Sequence, residues 1–197
     1  MKKFILFTLI LFIGVIASGQ SIKRSSGSLD ALKGIKNIGV SFTYNNMKVG
    51  KMDEERYVQE KISDYNKKRA GSGEAWHKEW IADRSERFEP KFVELFSKYL
   101  GEKGINANLG TGDIIMKINV NFIEPGFNVG VARRNASVDF TCIITTPDGK
   151  EIASVIVKEA SANSFGGNDY DVGYRVQESF AKGGRELAKF MIKDARL

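Results

Sequence analysis

Residues 113–158, "DIIMKINVNFIEPGFNVGVARRNASVDFTCIITTPDGKEIASVIVK", decide the fold. Ile114, Met116, Ile118, Val120 and Phe122 alternate with Lys117, Asn119 and Asn121. Period-two alternation of this kind marks a strand over 113–123 with one face buried and the other partly wet. Val138, Phe140, Cys142 and Ile144 repeat the pattern against Ser137, Asp139, Thr141 and Thr145, a strand near 136–146. Thr146-Pro147-Asp148-Gly149 is a turn signal, and Ile152, Val155, Ile156 and Val157 form a strand over 151–158, so the last two strands make a hairpin. Between the first two lies Ile123–Phe140, which carries Pro125-Gly126, Gly130, and the adjacent Arg133 and Arg134.

Upstream, Ile38, Val40, Phe42 and Tyr44 alternate over 36–44, another strand. Phe88, Phe92, Leu95, Phe96, Tyr99 and Leu100 share one face of a helix over 86–103, with Pro90 tolerated in its first turn and Gly101 and Gly104 stopping it. Val172, Val176, Phe180, Leu187 and Met191 line a last helix capped by Asp171. Its paired glycines, Gly183-Gly184, imply a kink or a close approach, because glycine within a helix costs about 1 kcal/mol relative to alanine. Residues 46–85 are less regular and read as a partly helical insertion after the first strand. The expected architecture is α+β: a two-layer sandwich of a four-stranded mixed sheet, ordered β-α-β-β-β-α, with two long helices on one face.

The N-terminus carries a different message. Lys2 and Lys3 precede Phe4–Ile16, apolar except for Thr8 and Gly14, and Ala17-Ser18-Gly19 offers small residues for signal peptidase. This is the layout of a secretory signal peptide over 1–19, and the run is too short to span a bilayer comfortably. No cysteine stands near the cleavage point, so a lipid anchor is not expected there. Residues 20–33 read as a flexible polar arm, with Leu29–Leu32 starting a short ordered lead-in, and 34–197 as a single domain. Cleavage removes two lysines and no acids, so the net charge falls from +6 to +4. That is a mild excess, unlike a nucleic-acid binder. Cys142 is the sole cysteine, so an internal disulfide is impossible. The expected location is therefore periplasmic or secreted, with no transmembrane segment after cleavage.

The order of elements resembles the compact α/β modules of periplasmic envelope proteins, such as the amino-terminal domain of the Tol-Pal translocation protein and the periplasmic domain of the curli secretion channel. It covers about 34–193 without the insertion and rests on topology alone. It implies an assembly or binding role and carries over no functional residue.

No paired catalytic motif stands out. His77 is the single histidine and lies between Trp76 and Trp80; there is no G-x-S-x-G, C-x-x-C or H-E-x-x-H. Asp169-Tyr170-Asp171-Val172-Gly173 matches a calcium loop only in part, with Phe180 where the twelfth-position glutamate should be. No cofactor is expected. Trp76 and Trp80, four apart, fit pins for the insertion better than a stacking platform.

If the first, second and fourth strands run one way, the loops 45–52, 124–135 and 163–171 leave from one edge of the sheet. There Phe127, Asn128, Arg133, Arg134, Phe165, Asp169 and Tyr170 form the candidate binding set, since long loops on a rigid sheet commonly carry binding. The two arginines would either pair with Asp169 or Asp171 or remain available to a partner. The leading reading is a non-enzymatic exported protein that binds an envelope protein or small ligand at this edge. The alternatives are a small hydrolase or carbohydrate-active enzyme using Glu124, Asp169 or Asp171 with Trp76 or Trp80 lining the substrate, and a structural subunit of an envelope oligomer.

Overall fold

In a computed structural model, residues 19–162 and 171–197 are described; residues 1–18 and 163–170 lie outside them. The class is α+β, as expected, but the sheet is larger than four strands. The main strands are β1 (Ser21–Gly27), β2 (Asn37–Thr43), β5 (Asn106–Leu109), β6 (Ile114–Glu124), β9 (Ser137–Thr145) and β10 (Glu151–Ala160), in spatial order β1-β10-β9-β6-β2-β5. Two short strands, β3 (Lys48–Val49) and β4 (Met52–Asp53), bring the sheet to eight, β3 lying parallel to the end of β6. A separate two-stranded ribbon joins β7 (Phe127–Asn128) to β8 (Arg133–Arg134).

The extra strands correct three readings. The 20–33 stretch is not a loose arm: β1 pairs antiparallel with β10, and Leu29–Leu32 forms a 3₁₀ turn with Leu29 and Leu32 buried. The serines and charges of β1 hide it because an edge strand is held in place through backbone bonds, and only Ile22 packs on the core. The 45–52 loop holds β3 and β4. The β6 face also changes partway: a bulge between Val120 and Phe122 shifts the register, so Ile123 is buried and Phe122 only half-buried.

The 46–85 insertion contains a helical hairpin, α1 (Glu54–Lys68) and α2 (Ser72–Asp83). Acids open α1 and lysines close it, in accord with its dipole. The helices meet closely enough that Ile62 leaves no room for a side chain at Gly73. After α2 the chain continues through a π turn, Arg84–Phe88, into α3 (Glu89–Gly101), with Pro90 in the first turn of α3. The last helix, α4 (Val172–Ala195), is unbroken through its paired glycines. These mark a close approach rather than a kink. A methyl on Gly183 would stand 2.5 Å from Cε2 of Phe140, and one on Gly184 would overlap the backbone of Phe92.

The core lies between the sheet and α3/α4. Phe92 of α3 and Phe180 of α4 both reach the same sheet face, meeting Phe42 of β2 and Phe140 of β9 with ring centroids 5.1–6.4 Å apart. The opposite face carries a polar ladder across three strands. Thr43 donates to Asn119 (2.8 Å), Asn119 to Asn121 (2.8 Å), and Asn121 to Thr141 (2.7 Å). One face of the sheet is therefore dry and the other wetter, as the alternation of residues implies.

Candidate functional site

β2 and β6 run parallel, while β9 is antiparallel to both β6 and β10. The C-terminal ends of β2, β6 and β10 therefore share one edge of the sheet, as expected from the sequence. A cleft of about 640 Å³ opens there. Its walls come from the β3–β4 segment (Val49–Met52), from Tyr57, Lys61, Tyr65 and Trp76 of the helical hairpin, from Glu124–Asn128, and from Asp171 and Arg175 at the start of α4.

The 124–135 segment is a built hairpin. Gly126 has a left-handed φ of 63°, and a side chain there would overlap the carbonyl of Arg134. Its N–H donates to Glu124 (3.1 Å), while the other Glu124 oxygen pairs with Arg134 (3.3 Å). From below, Arg175, only 6% exposed, donates from Nε to the carbonyl of Pro125 (3.2 Å) and from Nη2 to that of Gly126 (3.3 Å). The turn is closed by Val129 N–H donating to Ala132 (3.0 Å) and Gly130 N–H to the Asn128 side chain (3.0 Å). The tip that results is apolar and outward: Phe127 is 44% exposed, Val129 64% and Val131 100%.

Phe127 and Asn128 of the candidate set thus line the cleft. Arg133 and Arg134 lie on β8, beside the cleft rather than in it. Arg134 pairs with Glu124, and Arg133 donates to Asn135 (3.1 Å). Phe165, Asp169 and Tyr170 fall outside the described residues. Asp171, the other expected partner for the arginines, instead accepts from Arg87 (2.9 Å) and caps α4 through Gly173 N–H (2.8 Å). Burial works to raise the Asp171 carboxyl, but Arg87 and the backbone N–H groups of Gly173 and Tyr174 outweigh it and hold it below its ordinary value. Asp83, the other carboxylate on Arg87, is pushed up by burial.

The helical wall of the cleft belongs to an aromatic column, of which Tyr65 and Trp76 line the cleft. Tyr65, Trp76 and Trp80 stack in sequence, with centroids 5.8 and 5.9 Å apart and planes inclined by 18° and 21°. Tyr57 leans edge-on against Trp76 at 6.0 Å, and Lys68 lies over Tyr65 at 5.8 Å. Trp80 is buried and donates from Nε1 to Glu54 (2.6 Å), which also pairs with Arg84. Trp76 is flanked by two rings, so little of its face is open to a ligand. The column pins α1 to α2, and Trp80 carries it on to the core at Phe88 (6.5 Å), the pinning of the insertion expected of the two tryptophans.

His77 is half-buried, and its ring takes no part in the cleft lining. Cys142 is fully buried, and burial pushes its thiol up to about 12, which leaves it a packed and unreactive side chain. Among the described residues, no group of histidine, cysteine and acidic side chains is arranged to hold a metal ion. No helix among them is long and apolar enough to cross a membrane.

Sequence reasoning misses Arg175 and Tyr65 as cleft residues, and offers Trp76 there only under the hydrolase alternative. Tyr57 and Tyr65 do share a stripe on α1, but nothing in the sequence says that this stripe faces the end of β6. Arg175 carries no signal at all, since its role depends on carbonyls fifty residues away.

No family model matches the chain, and no curated protein matches it. Among solved structures, similarity extends to a PelC dodecamer from Paraburkholderia phytofirmans (11% identity, 83% of this chain and 96% of that one, TM-score 0.35). It extends also to a minor lipoprotein from Acinetobacter baumannii (8% identity, 82% and 94%, TM-score 0.35). A third is a Xanthomonas campestris protein of family DUF330 (9% identity, 81% and 84%, TM-score 0.36). Likeness at these scores carries no functional argument.

Proposed function

We propose that the protein is exported and acts by binding, without catalysis, taking an envelope partner at the loop edge of its sheet. The observation that carries this reading is the β7–β8 tip. Three apolar side chains, Phe127, Val129 and Val131, stand in solvent on a hairpin that Arg175 and Glu124 hold from beneath. Exposing apolar groups on a braced ribbon costs solubility and adds nothing to the core. A protein surface that covers them recovers their burial, and Arg133 and Arg134 flank them as the polar rim such contacts use.

The cleft carboxylates favour binding over acid–base chemistry. Glu124 and Asp171 each serve an ion pair and a backbone N–H that shape the edge itself. Both are committed to structure, whereas a general acid or base must be able to exchange its proton with a substrate.

A photo-crosslinking side chain placed at Val131 in the exported protein tests this. A discrete protein adduct is expected, absent when the crosslinker sits at Glu60 on the exposed face of α1, and lost when Phe127 and Val129 become serine with the melting temperature unchanged. Equal labelling from Val131 and Glu60, or adducts indifferent to the serine changes, would refute the proposal.

A further inference from the structure

We infer that Gln20 is a modification site: once the leader is removed, the mature N-terminus closes to a pyroglutamyl lactam. The inference rests on the export reading, since it needs cleavage between Gly19 and Gln20, after the small residues Ala17-Ser18-Gly19. Such cleavage gives glutamine a free α-amine, the one setting in which its side-chain amide lies within reach of a nucleophile on the same residue.

The structure adds two observations. The first concerns the group that would leave. The Nε2 of Gln20 is buried and has no hydrogen-bond partner among the described residues. It sits in a depression lined by Glu124, Arg134, Ser137, Glu159 and Lys182. A buried amide donor with nothing to donate to is unfavourable, so no hydrogen bond to the described residues stabilises the open amide. The second concerns the residues after Gln20. No arm separates the cleavage point from the fold: β1 starts at Ser21, pairs with β10 from Ser21↔Lys158 onward, and anchors to α4 through Arg24 and Asp194 at 2.9 Å. An exopeptidase that removed Gln20 would next consume the edge strand itself. A lactam presents no α-amine for it to grip.

The chemistry balances within one residue. The neutral α-amine, whose ordinary pKa of about 8 leaves a nucleophilic fraction at neutral pH, attacks Cδ. The new N–Cδ bond forms, the Cδ–Nε2 bond breaks, and the proton shed by the amine departs with Nε2 as ammonia. No oxidant, reductant or co-reactant enters.

The test is mass spectrometry of the N-terminal peptide from the exported protein, recovered from the cells that encode it, with stepwise N-terminal sequencing of the intact chain to exclude closure during handling. The expected peptide starts at residue 20, is lighter than its encoded mass by one ammonia, and blocks sequencing. An aminopeptidase should leave this protein intact, trim it after treatment with pyroglutamyl peptidase, and trim Gln20→Asn directly. A peptide that starts at residue 20 with an open glutamine overturns the lactam and leaves export standing. A chain that keeps its leader overturns export as well, and a start at any other residue overturns the lactam alone.

Discussion

Replacing Gly184 with alanine opposes two physical effects of known sign. Helix propensity alone predicts a gain of about 1 kcal/mol, because alanine is the better helix former and α4 is continuous through this position. Packing predicts a loss. The new methyl would overlap the carbonyl oxygen of Phe92 and stand 3.1 Å from its carbonyl carbon. The obstacle is backbone within α3, so no side-chain rotation relieves it, and the two helices must separate over a core that includes Phe92 and Phe180. Overpacking of this kind costs roughly 1–3 kcal/mol, and a backbone obstacle belongs at the upper end. The net is a destabilisation of about 2 kcal/mol, equivalent to a melting temperature lower by roughly 4–8 °C for a chain of this length. Thermal and urea unfolding followed by circular dichroism measure it. Gly101→Ala is the matched control: that glycine ends α3 with nothing within 4 Å of its would-be Cβ, so the same change should be neutral or stabilising. A Gly184→Ala protein that melts at or above the wild type would refute the close approach.

Two further outcomes stem from the buried groups. Burial raises the Cys142 thiol from 9.0 to about 12, and burial likewise raises Tyr57 from 10.0 to about 12. The unfolded chain thus releases these protons first, and stability present below about pH 9 should fall as pH rises toward 12; urea midpoints across that range check the sign, and a flat profile would contradict it. Trp80→Ala should cost roughly 3–5 kcal/mol, since it empties a buried site and strips Glu54 of a donor. Hydrogen exchange should then accelerate first in α1, where Tyr57 and Glu54 lose their contact, and uniform protection across α1 would count against the pinning role.

What can be read without coordinates divides along a physical line. The strands at 37–43, 114–124, 137–145 and 151–160 are legible because each buries one face, and burial writes a period of two into the residues. The direction of β2, β6 and β10, and so the edge that bears the site, follows from connection lengths. β1 is invisible to periodicity because an edge strand is held chiefly by backbone bonds, which any sequence can make. Phe122 reads as a buried-face residue because a bulge inserts one residue without marking it in the pattern.

The candidate site divides in the same way. Phe127 and Asn128 are legible because Pro125-Gly126 and Gly130 announce a reversal of the chain. The role of Arg133 and Arg134 is not, since partner choice among charges is a matter of distance: Glu124 is near Arg134, and Arg87 reaches Asp171. The residues on their own establish the α+β class, the alternation of the core and the edge that carries the loops, and they narrow the glycine pair of α4 to a kink or a contact. Three-dimensional packing was needed to choose the contact, to set Arg175 beneath the hairpin, to build Tyr65 and Trp76 into the cleft wall with Trp80 buried behind them, and to lay Gln20 against the sheet with its amide unpaired among the described residues. The reason is that periodicity records which side of an element is dry, whereas a site is made by side chains from different elements, whose meeting leaves no mark on any one of them.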